Sequence, residues 1–291
     1  MDRRTFLGVT ALGAGALGAV TLALAGDASP IHLDNGAYAD VTVMLDAKPF
    51  FIAHHGCSRT WPEMSHYAYA QSARRGFGAL ELSLARTSDG VWFGLHDATL
   101  DRTSGVTGTT ASAMTWAEVQ TYRILGSTAV DDPTQPGRPY ARWEEIIAAY
   151  YPSHVIFVDP KHALGYSGEL MAKMNALPGT PRDHLVCKYY GVSGNVANTR
   201  GWARLAADNG YHRWGYFYAA DAADFAAYQD RWDILGLDYT ADTSCWNTML
   251  AYGKPIIGHI VADRAAAAMA RAKGAAALMI SGAATIQVHR S

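Results

Sequence analysis

The sequence is poor in the features that would place it in several familiar classes. Three cysteines in 291 residues, Cys57, Cys187 and Cys245, are too few and too scattered for a disulfide framework or a zinc site, and leave room for one bridge at most. A formal net charge of -2 gives no electrostatic reason to expect nucleic acid or an anionic membrane surface as partner. The turn His54-His55-Gly56-Cys57 lacks the spaced glycines of a dinucleotide-binding fingerprint. No low-complexity segment and no linker-like shift in composition follow Pro30. What remains is an ordinary globular composition, 49% hydrophobic and 17% charged, in a length that suits one large barrel or two modest domains. Eight Trp and sixteen Tyr supply the core, with some to spare for lining a pocket for an alcohol or choline-like group.

The first thirty residues read as an address. Arg3-Arg4, within Asp2–Gly8, has the form of a twin-arginine export signal. A weakly apolar stretch follows from Val9 to Leu24, and Ala23-Leu24-Ala25 offers a small-residue cleavage site. No Cys directly follows that stretch, which argues against a lipoprotein anchor. Its length is borderline for spanning a bilayer, so an uncleaved anchor stands as the alternative to cleavage. The chain thus divides into a signal over 1–25, an extension over 26–48 and a barrel domain over 49–291. The translocase of the twin-arginine pathway is the expected export partner, and the mature protein is expected outside the cytoplasmic membrane.

From Pro49 onward, short β-rich apolar runs alternate with longer amphipathic, Ala-rich stretches. Strands are expected at Phe50–His54, Ala79–Ala85, Val91–His96, Val155–Asp159, Leu185–Tyr189, Trp214–Tyr218, Ile234–Leu237, Ile256–Ile260 and Leu278–Ile280. Helices are expected at His66–Arg74, Trp116–Tyr122, Trp143–Tyr151, Glu169–Ala176, Thr199–Asn209, Ala222–Arg231, Trp246–Tyr252 and Arg264–Lys273, several closed by a C-capping Gly. Such alternation means parallel strands with crossover helices, and favours a closed (β/α)8 barrel over an open sheet. Only five residues separate Ala79–Ala85 from Val91–His96, so the barrel should carry a small early hairpin. Asp131–Pro139, rich in Asp, Pro and Gly, reads as a surface loop.

Titratable residues gather at the carboxyl ends of the early strands: His54 and His55, Glu81, His96 and Asp97, then Asp159 and Lys161. In a barrel those ends share one face, so residues a hundred positions apart meet in one pocket. Two His, several carboxylates and a Lys suit metal-assisted phosphoryl chemistry or proton transfer on an anionic substrate.

The motifs that carry these residues resemble the glycerophosphodiester phosphodiesterase family. They are Ile52-Ala53-His54-His55-Gly56, Pro62-Glu63-Met64-Ser65, Glu81-Leu82-Ser83, Asp89-Gly90, and His96-Asp97 followed by Leu100-Asp101-Arg102-Thr103-Ser104-Gly105. Asp159-Pro160-Lys161 is similar to a further family motif, and Gly258–Asp263 with Ala277–Ser281 to its closing segment. The resemblance implies a metal-dependent hydrolase in which His54 and His96 are the acid–base pair. It implies that Glu81 and Asp159 bind a divalent cation, Ca2+ or Mg2+. Lys161 and His55 would contact the phosphate, with Glu63 supporting them at the substrate side. The small-molecule substrate would be a glycerophosphodiester, cleaved to glycerol 3-phosphate and an alcohol.

Three replacements depart from the family pattern. Ser83 stands where the family has an Asp metal ligand, Asp159 where Glu is usual, and His55 where an Arg contacts phosphate. They leave open a weaker or different metal site, and a barrel that binds a phosphodiester without turnover. A phospholipase acting on intact lipid is the remaining alternative. Cys57 reads as filler, and Asp97 and Arg102 as residues that shape the loop.

Overall fold

The computed structural model describes residues 38–126, 136–192 and 196–283, apart from the side chains of 196–200. The expected export signal, the extension as far as residue 37, and the first part of the Asp131–Pro139 loop lie outside the described residues.

Eight parallel strands close into a barrel. In chain order they are β1 (Phe50–Ala53), β2 (Ala79–Arg86), β4 (Val155–Asp159), β5 (Leu185–Tyr190), β6 (His212–Phe217), β7 (Ile234–Asp238), β8 (Ile256–Val261) and β9 (Ala277–Ile280). Closure is made by β1, which pairs with β2 at Ile52↔Ala79 and with β9 at Phe50↔Ala277. The longer helices are α1 (Val41–Asp46), α2 (His66–Arg74), α3 (Trp143–Tyr150), α4 (Ser167–Asn175), α5 (Val196–Asp208), α6 (Thr243–Leu250) and α7 (Arg264–Ala272). The expected (β/α)8 architecture is therefore the one found.

The strands are near-continuous apolar runs because both their faces are covered. One parity faces the helices: Leu80, Leu82, Ile156, Val158, Leu185 and Cys187 pack with Ile146, Leu170, Trp202 and Trp246 in the main core. The other parity fills the barrel: Phe50, Ile52, Ala79, Val155, Phe157, Val186, Trp214, Ile257 and Met279 form a second core. Val41 and Met44 of α1 join that inner core and stop one end of the barrel. Asp40 holds α1 in place by accepting a hydrogen bond from the Val43 N–H (2.7 Å). Each large side chain fully buried in this way stabilises the fold by about 1.5–3 kcal/mol.

Along the strands the inward parity turns from apolar to polar. Ala79 is followed by Glu81 and Ser83, Val155 and Phe157 by Asp159, and Val186 by Lys188; all four polar residues are buried. That change of polarity along a single face puts a charged layer on top of an oily one.

The early hairpin is present. β3 (Trp92–Gly94) runs antiparallel to β2, with Leu84↔Gly94 and Arg86↔Trp92 in register. Its turn is fixed by Thr87, whose hydroxyl donates to Asp89 (2.6 Å) and accepts from the Val91 N–H (2.9 Å). β3 is shorter than the expected Val91–His96. The Gly94 N–H leaves the hairpin to bond Ala141 and the Leu95 N–H bonds Ser83, which swings His96 back over the barrel mouth. The expected helix over Ala222–Arg231 is instead a four-residue helix, Phe225–Tyr228, between two 3-10 turns. The three cysteines are free. Burial pushes the Cys57 thiol up to about 12, so it is an inert packing residue. Among the described residues no helix is long and apolar enough to cross a membrane.

Candidate active site

At the end of β1 the chain tightens into a 3-10 turn, His54–Gly56. His55 (φ 51) and Cys57 (φ 65) take left-handed backbone, and so do Met64 (φ 55) and Lys161 (φ 33). For a residue with a Cβ this costs about 1–2 kcal/mol. Gly56 (φ 70) leaves no choice, since a Cβ there would lie 2.9 Å from the Ala68 Cβ. The turn stacks the rings of His54 and His55, with centroids 3.6 Å apart. The His96 ring lies 5.0 Å from that of His55. His54 and His55 form the floor, and burial, with the nearby cationic groups, holds both imidazoles well below their usual value. Both are therefore neutral at neutral pH. His54 Nδ1 has no hydrogen-bond partner.

His96 stands at the open side, a third exposed. Its Nδ1 lies 2.8 Å from Asp97 Oδ1. The other Asp97 oxygen accepts from Arg102 Nε (2.6 Å), and Arg102 donates through both remaining nitrogens to Glu63 (2.9 and 2.8 Å). The bonds from His96 and Arg102 hold the Asp97 carboxyl far below the usual carboxylate range. His96 is thereby oriented through one ring nitrogen, and the other is left for chemistry. Asp97 and Arg102, read as loop-shaping residues, are the ones that aim His96. Glu63 was expected beside the substrate. It is buried, and both its oxygens are taken by the Arg102 fork, with Oε1 also 3.9 Å from His55 Nδ1.

Below the imidazoles lies a cluster of four charged groups. Lys188 Nζ sits between Glu81 Oε1 (2.8 Å) and Asp159 Oδ2 (2.9 Å). Lys161 Nζ is 3.0 Å from the same Asp159 oxygen and donates to the Tyr216 hydroxyl (2.6 Å). Asp159 Oδ1 accepts the Lys161 backbone N–H (3.0 Å) and so fixes that left-handed residue. Glu81 accepts the Ser83 hydroxyl on Oε1 (2.8 Å) and the His55 backbone N–H on Oε2 (3.1 Å). Burial alone would raise the Asp159 carboxyl, but the Lys161 and Lys188 ammonium groups outweigh it and hold it at about 2. Burial would likewise lower Lys188, and the Asp159 and Glu81 carboxylates reverse that and keep it charged.

The structure thus brings His54, His55, Glu81, His96, Asp159 and Lys161 to one end of the barrel, as the strand-end rule requires. Lys188 escaped the sequence reading. Its signal was there: a lysine inside the apolar run Leu185-Val186-Cys187-Lys188, at the inward parity of Val186.

A divalent cation can be tested against these residues. Among the described residues one group has the spacing to hold a metal ion: His54, His55 and Glu81, whose ligand atoms lie within 4.8 Å of one another. Two imidazoles and one carboxylate suit a borderline ion such as zinc or iron(II) better than a hard one. Calcium and magnesium want oxygen ligands, and the expected pair, Glu81 and Asp159, already holds an ammonium between its oxygens. Ser83 adds a hydroxyl that is spent on Glu81. These residues do not fit calcium or magnesium.

Residues 54–156 match the model of the glycerophosphoryl diester phosphodiesterase family. A Mycobacterium tuberculosis protein named "Probable glycerophosphodiester phosphodiesterase 1" is 30% identical over 142 residues, 46% of this chain and 50% of that protein. The human glycerophosphodiester phosphodiesterase 1 is 44% identical over 57 residues, 20% of this chain and 17% of that protein. The chain therefore spans half or less of the length of these relatives. Among solved structures, a phosphodiesterase of Oleispira antarctica in complex with the product sn-glycerol-3-phosphate superposes with a TM-score of 0.63. It is 20% identical, over 81% of this chain and 94% of that one. A glycerophosphoryl diester phosphodiesterase structure from Silicibacter pomeroyi gives 0.66 at 16% identity, over 86% and 96%. Residues 54–156 thus carry the sequence pattern of the glycerophosphoryl diester phosphodiesterase family on the barrel that solved proteins of that name share, and the resemblance read from the motifs holds.

Proposed function

We propose that the protein is a phosphoric diester hydrolase that cleaves glycerophosphodiesters to glycerol 3-phosphate and an alcohol. The observation that supports it most is the pairing of a buried neutral imidazole, His54, with a carboxylate-oriented one, His96, above two lysines at the barrel mouth. His54 is suited to take the proton of an attacking water, since burial keeps it neutral. The oxygen of that water bonds to phosphorus as the bond from phosphorus to the alcohol oxygen breaks. His96, oriented by Asp97 through Nδ1, gives a proton to the departing oxygen. Solvent then returns both imidazoles to their starting states. Lys161 offsets charge on the nonbridging oxygens, and Tyr216 fixes its ammonium. The resemblance implies Ca2+ or Mg2+ as well, but the residues do not fit either ion, and no step here uses one.

The test is product identification. Folded protein is incubated with glycerophosphocholine and glycerophosphoethanolamine, and phosphorus NMR follows the diester. The expected product is glycerol 3-phosphate with the free alcohol. Absence of a phosphomonoester from every glycerophosphodiester contradicts the reading. Turnover of lipid vesicles alone would point to a phospholipase.

Export through the twin-arginine pathway remains a proposal resting on Arg3-Arg4 and the apolar stretch after them. Its check is the location of the protein in cells carrying Arg3→Lys with Arg4→Lys, where retention inside is expected.

A further inference from the structure

We propose that the Lys188 ammonium takes the place of a divalent cation between Glu81 and Asp159, so that the hydrolytic site works without an added metal ion. The inference rests on the reading of the site as a phosphodiester hydrolase.

The geometry is that of a bridging cation. Nζ lies 2.8 Å from one carboxylate and 2.9 Å from the other, on β5, the strand beside the β4 of Asp159 and next but one to the β2 of Glu81. The Lys188 side chain is 4% exposed and both carboxylate side chains are 0% exposed. No solvent is at hand to screen an added charge.

Charge balance makes the same point. Glu81 and Asp159 bring two negative charges, and Lys161 and Lys188 bring two positive ones. The cluster is neutral as it stands. A divalent ion would leave two positive charges uncompensated in a dry interior, which is strongly unfavourable. Ser83 belongs to the same arrangement. It faces inward beside Glu81 and donates a hydroxyl to Oε1, where a carboxylate would have supplied a further charge for an ion to balance. The oxygens are also committed: Glu81 Oε1 to Lys188 and Ser83, Glu81 Oε2 to the His55 N–H, Asp159 Oδ1 to the Lys161 N–H.

Lys188 is on this account a positioning residue. It holds Glu81, which accepts the His55 N–H, and Asp159, which fixes Lys161 through both backbone and ammonium. Its ring neighbours suit a permanent cation, since Nζ lies over Tyr216 (4.8 Å to the centroid) and Trp214 (5.5 Å).

Two readouts test the inference on the full chain. The first is calorimetric titration of chelator-treated protein with Ca2+, Mg2+, Mn2+ and Zn2+, which is independent of turnover. The second is the hydrolysis rate with and without chelator. The unaltered protein is expected to show no saturable binding of the hard ions Ca2+, Mg2+ and Mn2+ and no loss of rate in chelator. A metal acting on phosphoryl oxygens would instead cost at least on the order of a hundredfold on removal. Lys188→Ala is expected to gain one metal site, lost again in Lys188→Ala with Glu81→Gln, and Mn2+ or Mg2+ should restore part of its lost rate. Lys188→Arg, which keeps the charge, should stay metal-free. One equivalent of metal bound by the unaltered protein, with loss of turnover on chelation, overturns the inference. If Lys188→Ala does not fold, titration of the unaltered protein still decides. If no glycerophosphodiester is turned over under any condition, the hydrolase reading fails, and the titration alone still shows whether an ion or Lys188 holds the two carboxylates.

Discussion

The front and back halves of this barrel contribute to the site in different ways. From β1 to β4 the reactive residues come as short motifs: two adjacent His on one turn, a Glu two residues from a Ser, a His beside an Asp, an Asp two residues from a Lys. From β5 to β9 they come singly, as Lys188 and Tyr216 on inward parities of otherwise apolar strands. The front half supplies the groups proposed for proton transfer, and the back half supplies an ammonium and a hydroxyl that hold their neighbours. The family match, at residues 54–156, covers the first kind of contribution as far as His96-Asp97 and stops before Asp159, Lys161 and the second kind.

The comparison predicts a ranking of effects. The largest belong to the front half. His54→Ala and His96→Ala should each lower the rate of phosphodiester hydrolysis by about 10²–10⁴-fold with the fold retained, as steady-state kinetics and circular dichroism would show. A loss below tenfold in either would remove that residue from proton transfer.

Asp97→Asn should come next, lowering the rate by about ten- to a hundredfold, because the partner that orients a working imidazole is weakened while the imidazole remains. An unchanged rate would mean that Asp97 only shapes the loop.

Acid stability probes the buried floor shared by both halves. His54 and His55 have folded pKa values below the unfolded value of about 6.5, so the unfolded chain takes up protons first as pH falls through that value. Stability is therefore complete above about pH 6.5 and declines below it. Asp159, held at about 2, adds stability that is complete above about pH 4 and lost as pH falls towards 2. Thermal melting between pH 8 and pH 3 should show a decline starting near 6.5. A flat melting temperature down to pH 5 would contradict neutral burial of the two imidazoles.

The smallest effect belongs to the back half. Tyr216→Phe removes the hydroxyl that accepts from Lys161 Nζ (2.6 Å) and should cost about 1 kcal/mol of stability in denaturant unfolding. Its effect on rate should be well below that of either His. A rate loss as large as that of His54→Ala would erase the distinction between the halves.

Much of the architecture was legible because barrel strands alternate with helices at regular spacing, and because a five-residue link between Ala85 and Val91 leaves room only for a hairpin. The meeting of His54, Glu81, His96, Asp159 and Lys161 followed from the rule that strand carboxyl ends share a face. Lys188 was not legible in that way. It lies within its strand, not at the end, and its partners, Glu81 and Asp159, are distant in sequence, so no local spacing announces the contact. The partner of Glu63 was hidden for a related reason: a motif places a carboxylate near the pocket, but only the structure shows the Arg102 fork that binds both its oxygens. The broken helix at Phe225–Tyr228 shows the same limit, since Ala-rich composition does not reveal where tight turns interrupt it.

The most direct test of the central claim is glycerol 3-phosphate release from glycerophosphocholine, measured side by side for the unaltered protein and for His54→Ala. Release by the unaltered protein and its fall by two or more orders of magnitude, on the order expected for a lost acid–base group, is the predicted result. Equal release by both proteins, or none by the unaltered one across a panel of glycerophosphodiesters, would contradict hydrolysis at this site.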